Sequence, residues 1–208
     1  MRLGSLLDGR TAEPAVGGGV YWNSVLAGDC RWLRHHGGEI GGWKCRHRFV
    51  GPISGAHFNP AVTLVFALRR EIAAREASLF VVAQIVGGIL GVLATHVMFD
   101  ESVFQFSQKI RTGGPQWFAE GIATFGLVFT ILATLRAKPD AVATAVGLYI
   151  TAAYWFTAST SFANPAVTIA RSLSDSFAGI RPLDAPRFIV AQIVGAVLAL
   201  SVCRWLLG

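Results

Sequence analysis

The pentapeptide Asn59-Pro60-Ala61-Val62-Thr63 occurs again as Asn164-Pro165-Ala166-Val167-Thr168, 105 residues later. Identity over five residues in so short a chain marks an internal duplication. Asn caps the free N–H groups of a helix start, and Pro supplies a fixed φ at the first helical position. Each copy therefore predicts a helix that begins at its proline. A second repeat follows the first. Phe80-Val81-Val82-Ala83-Gln84-Ile85-Val86-Gly87 matches Phe188-Ile189-Val190-Ala191-Gln192-Ile193-Val194-Gly195 at an offset of 108. Both copies of the unit run half-helix, connector, full helix.

The apolar runs set the medium. Of 208 residues, 53% are hydrophobic and 14% charged, against roughly 25% charged in soluble domains. This predicts an all-α membrane protein in residues 51–208. The segment 60–68 is too short to cross ~30 Å of hydrocarbon at about 1.5 Å per residue, and so is 164–173. Four full spans are expected, at 76–99, 116–135, 141–158 and 187–207. An odd number of crossings between corresponding helices inverts one unit relative to the other. Interrupted hydrophobic segments then meet at the midplane. The resulting fold class is an inverted-repeat helix bundle with two re-entrant half-helices. Lys and Arg fall on both sides of the spans and do not fix the orientation.

The net charge of +6 does not point to nucleic acid, because the basic residues show no patch interleaved with aromatics. Three cysteines, Cys30, Cys45 and Cys203, have no zinc or disulfide spacing. No catalytic constellation, metal site or cofactor motif is expected. Two half-spans meeting N-terminus to N-terminus would aim both positive dipole ends at one spot. Asn59 and Asn164 could offer side-chain N–H groups there. A water or hydroxylated solute would accept hydrogen bonds from both, while a cation would be repelled.

The stretch Ser54-Gly55-Ala56-His57-Phe58-Asn59-Pro60-Ala61-Val62-Thr63-Leu64 and the second box resemble the aquaporin (major intrinsic protein) family, in its bacterial, aquaglyceroporin-like form. The resemblance covers about 51–208. It implies six spanning helices plus two half-helices, assembled as a homotetramer with a pore in each subunit of an inner or plasma membrane. It implies a passive channel for water and small uncharged solutes. Asn59 and Asn164 would be pore donors, with Pro60, Ala61, Pro165 and Ala166 stacking the half-helices. Glu120 resembles the buried helix Glu that holds pore-loop backbone N–H groups; read alone, it could instead be a pore-edge or interhelix charge. Gln84 and Gln192 resemble interhelix polar contacts, and His57 is a supporting residue beside the first box. The family usually carries Arg directly after the second Asn-Pro-Ala. Here Val167 stands there and the nearest Arg is Arg171, one turn on. Tyr154 aligns where water-selective members place a His. Both changes point to a wide filter that would pass glycerol or neutral metalloid acids such as arsenite.

The resemblance implies two spans ahead of the first box, and residues 1–50 supply neither. Segments such as Trp43-Lys44-Cys45-Arg46-His47-Arg48 cannot cross a bilayer, and no stable element is expected there. Read one base out of frame, Trp22, Trp32 and Trp43 each become Gly. Residues 17–48 can then spell a first helix with its own Glu, so a frame change plus a deletion is the expected origin of this segment, with a genuine, unrelated soluble tail as the alternative. Two alternatives to a working channel follow: a non-functional remnant whose boxes fail to meet, and a secondary transporter.

Overall fold

A computed structural model describes residues 57–207; the expectations for residues 1–50, including the shifted reading of 17–48, lie outside them. Six α-helices run in the order α1 Pro60–Leu68, α2 Ala74–Met98, α3 Gly114–Ala137, α4 Val142–Phe156, α5 Pro165–Arg171 and α6 Ala185–Leu207. No strand occurs among the described residues. The half-helices α1 and α5 begin at Pro60 and Pro165, as the capping chemistry of the repeated pentapeptide predicts.

Helix ends follow local chemistry. The last turn of α1 closes with Arg70 N–H on Ala67 O at 2.9 Å and Glu71 N–H on Phe66 O at 3.0 Å. Arg70 takes φ 61° to make this turn, the left-handed cap that satisfies terminal carbonyls. Arg204 of α6 donates to Leu68 O at 2.9 Å and ties off the same end. α2 stops in the same way: Asp100 has φ 56°, and Glu101 N–H reaches His96 O at 2.8 Å.

Among the described residues three helices are long and apolar enough to cross a membrane: Ala74–Met98, Gly114–Ala137 and Ala185–Leu206. The helix expected at 141–158 is present and shorter than expected. Pro139–Ala141 forms a 3-10 turn, and α4 covers only Val142–Phe156. Its 15 residues rise about 22 Å. The helix ends early because Thr157 turns extended, at φ −97° and ψ 139°, while its hydroxyl bonds back to Ala153 O at 2.7 Å.

The packing interleaves the two repeats. α1 lies against α2 of its own unit and α6 of the other; α5 lies against α6 of its own unit and α2 of the other; α1 and α5 also touch. One apolar cluster joins Ala61 and Val65 of α1 to Val128 and Leu132 of α3 and to Ala196, Ala199 and Leu200 of α6. A second joins Ala123, Leu127 and Ile131 of α3 to Val142 of α4 and to Ala163. α2 turns Leu79, Val82, Val86, Leu90 and Val97 outward, an apolar face suited to lipid.

Bundles in lipid gain little from apolar burial between helices, so small residues that permit close approach matter most. Gly88 of α2 sits over Ala166 and Ala170 of α5. α3 and α6 form the most extensive helix pair, and they cross at Gly121 and Gly195. A Cβ built on Gly195 would overlap the Gly121 carbonyl and press on the Phe125 nitrogen. Neither can yield without moving α3. Gly195→Ala is therefore expected to cost about 1–3 kcal/mol, the range for forced overpacking. Gly87→Ala, which meets open space, is expected to change stability little. Thermal unfolding of the two variants in one detergent, followed by loss of the monodisperse peak, checks this contrast; equal midpoints would sink it.

Candidate functional site

The two boxes meet, as the channel reading expects and the remnant alternative does not. Asn59 caps α1 by accepting from Ala61 N–H at 2.9 Å, and Asn164 caps α5 by accepting from Ala166 and Val167 N–H at 2.9 and 3.3 Å. Each side-chain amide then reaches across to the other repeat. Asn59 Nδ2 donates to Ala163 O at 2.7 Å, and Asn164 Nδ2 donates to Phe58 O at 3.0 Å. Each acceptor is the residue just before the opposite Asn. An amide nitrogen carries two N–H groups, so this cross-tie uses one and leaves a second on each Asn. Half of the donor capacity of each amide is thus engaged in holding the boxes together. Pro60, Ala61, Pro165 and Ala166 are buried at the contact.

The fifth residue of the pentapeptide has a matching role in each half. Thr63 Oγ1 donates to Asn59 O at 3.0 Å and accepts from Gln84 Nε2 at 3.0 Å. Thr168 Oγ1 donates to Asn164 O at 3.0 Å and accepts from Gln192 Nε2 at 2.9 Å. Gln84 and Gln192 thus hold the half-helices to the long helices, in line with the interhelix reading. The two threonines escaped the sequence reading, although their place in both copies of the repeat was a signal.

Beyond this point the halves differ. Glu120 of α3 is fully buried and collects four donors. They are Ser159 Oγ at 2.6 Å, Phe162 N–H at 2.8 Å, Ala163 N–H at 2.9 Å and Gln192 Nε2 at 2.7 Å. The carboxylate therefore seats the loop that leads into the second box, rather than standing at a pore edge. That loop needs such a seat. Thr160, Ser161 and Ala163 all have positive φ, at 62°, 48° and 47°, a region costing about 1–3 kcal/mol for each residue other than Gly. On the first repeat Gln84 Nε2 instead donates to His57 O at 3.0 Å. His57 is half-buried, stacked on Phe80 and edge-on to Phe66, with Nδ1 3.4 Å from Thr63 Oγ1.

Val167 is half-buried on α5, one turn inward of Arg171. Tyr154 is half-buried near the end of α4, its ring edge-on to Trp155. The structure brings Tyr154 into the electrostatic neighbourhood of Arg171, with Arg111 and Glu120. Arg111, which the sequence placed only in a polar loop, is buried against the same ring as Arg171. The Arg111 guanidinium lies 5.0 Å and that of Arg171 4.4 Å from the centre of Phe162. Arg111 donates to Gly179 O, Ser159 O and Phe177 O at 2.7, 2.9 and 3.0 Å. Burial lowers its pKa from the ordinary arginine value, against an opposing pull from Glu120 and Tyr154. No sequence signal marks it, because its partners are backbone oxygens of segments remote in sequence. No group of three or more His, Cys, Asp or Glu able to hold a metal ion occurs among the described residues.

Comparison with known proteins bears on this geometry. The sequence model of the family described as major intrinsic protein matches residues 44–141 and 136–207. The chain is 58% identical over 158 residues to the aquaglyceroporin AqpS of Rhizobium meliloti (strain 1021), covering 76% of this chain and 68% of that protein. It is 43% identical over 84 residues to nodulin-26 of Glycine max, covering 39% and 31%. It is 33% identical over 153 residues to aquaporin NIP1-1 of Oryza sativa subsp. japonica, covering 71% and 53%. The chain thus spans about two thirds of the rhizobial relative and about a third to a half of the plant ones.

Glu120→Ala would leave two backbone N–H groups, a hydroxyl and an amide without their acceptor. Each buried orphan costs about 1–3 kcal/mol, so a loss of several kcal/mol is expected, with failure to extract as a single species. Glu120→Gln keeps one acceptor oxygen but turns an NH2 toward donors, and is expected to be intermediate. Thermal midpoints in detergent check the order wild type, Gln, Ala; an unshifted Ala variant would remove the carboxylate from its role.

Proposed function

We propose that this chain, which belongs to the major intrinsic protein family, is a passive channel for water and small uncharged solutes, with a filter wide enough for glycerol. The observation that carries the reading is the reciprocal tie between Asn59 and Ala163 and between Asn164 and Phe58. It brings two helix N-termini together, and the reading has the second N–H of each amide serve the pore. A passing oxygen can accept there from both sides, and no proton acceptor is supplied. Cations meet two positive helix ends. The arrangement needs no nucleophile, base or metal.

Val167 supports the wide filter. A valine beside the second box offers neither charge nor donor, so a solute with a carbon backbone meets an apolar wall there. Glycerol and undissociated metalloid acids such as arsenite fit this chemistry. The membrane is an inner or plasma membrane, and the assembly is a homotetramer with one pore per subunit; the outward apolar face of α2 supports burial against lipid or a neighbouring subunit.

Stopped-flow light scattering on vesicles carrying the chain tests the reading. Swelling in a glycerol gradient above that of empty vesicles is expected, without solute accumulation against a gradient. Val167→Arg, which adds bulk and charge at the filter, is expected to cut glycerol entry several-fold more than water entry. Vesicles that fail to swell in either gradient would assign the chain to the remnant class, and proton-driven accumulation would assign it to transporters.

A further inference from the structure

Arg111 and Arg171 both lie against Phe162, yet they are held very differently. Arg111 is locked by three carbonyl oxygens. Its position is explained by the loops it ties together. Arg171 is 9% exposed, and its Nη1 is buried without a hydrogen-bond partner among the described residues. A buried guanidinium nitrogen with no acceptor is costly. Nη1 therefore lacks an acceptor that a solute reaching it would supply.

Helix geometry says where that capacity lies. Arg171 is four residues after Val167, so the two share one face of α5. Long side chains on a helix lean toward its N-terminus and cover the turn before their own Cα. The guanidinium of Arg171 therefore reaches back over the turn that carries Val167. Its 4.4 Å contact agrees, because Phe162 lies only two residues before Asn164. Tyr154 is a neighbour on the α4 side.

We propose that Arg171 is a specificity-determining residue of the mouth above α5: its guanidinium supplies, from one turn further out, the positive charge and hydrogen-bond donor that Val167 does not. The ligand class is a neutral solute with an accepting oxygen, a hydroxyl compound or an undissociated oxyacid. The site would be broad at Val167 and still closed to cations. This inference rests on the channel reading of the preceding subsection.

The test uses the full chain in vesicles, with proton leak read by an entrapped pH dye under a potassium–valinomycin clamp and solute entry read by light scattering. Arg171→Gln and Arg171→Met remove the charge; the second keeps length and contact over Phe162. Both are expected to raise proton leak by about tenfold or more, since a fixed positive charge acts strongly on a passing proton at low effective dielectric, and to change the ratio of glycerol to water entry. Arg171→Lys is expected to stay close to wild type in leak. Wild-type vesicles that admit glycerol, with charge-free variants leaking no faster than wild type, would overturn the role of Arg171 and leave the channel standing. Wild-type vesicles that admit no glycerol would overturn the channel reading, and this inference with it. If neither charge-free variant extracts as the wild-type species, Arg171 is a folding residue and the inference falls.

Discussion

The peptide of Ala163 is held from both sides, and the rest of the structure depends on that grip. Its N–H goes to Glu120 and its C=O to Asn59. The first bond ties the descending loop to α3, and the second ties it to the opposite repeat. Ala163 could not keep φ 47° on its own preference, because an L-residue gains nothing intrinsically in that region. The bonds on both faces of the peptide, together with Phe162 N–H on the same carboxylate, over-determine the conformation. Asn164 then starts α5 at the right height to reach Phe58.

The duplication works at two levels that need not agree. At the level of the pentapeptide the halves are near copies: Asn caps its own helix and donates across, while Thr bridges the helix start to a Gln on the following span. At the level of the loop they diverge. The second loop is clamped by Glu120, whereas the first rests on Gln84, with His57 packed between Phe66 and Phe80. Among the described residues the two half-helices are thus equivalent at their tips and different at their supports. Charge gathers as well near the second box, where Arg111 and Arg171 both lie against Phe162.

Much of this was legible from residue types with fixed local consequences. Asn before Pro sets a helix start whatever the tertiary context, so the half-helices begin where the sequence says. The start of α1 at Pro60 and its end at Leu68 follow from a cap on one side and Arg69-Arg70 on the other. The roles of Glu120, Gln84 and Gln192 came with the family resemblance. What resisted reading depended on contacts distant in sequence. Thr157 turns extended with no Pro or Gly beside it, so α4 looked longer than it is. Thr160, Ser161 and Ala163 take left-handed conformations that their own preferences oppose. Arg111 is positioned by carbonyl oxygens, which any residue type supplies, so nothing in the sequence could announce it.

The glycine crossing of α3 and α6 has a consequence for how such a filter can change over generations. Gly121 adjoins Glu120, and Gly195 lies one turn beyond Gln192; the 2.7 Å bond between those polar side chains exists because two backbones touch. Gln192 in turn fastens Thr168, and Glu120 fastens the loop. The helix pair therefore works as a gauge block for the aperture, set by the thickness of two missing methyl groups. A lineage could retune what passes by altering residues around the crossing, with every residue that meets the solute left as it was. The same coupling makes apparently neutral drift in the bundle interior a direct selection pressure on transport.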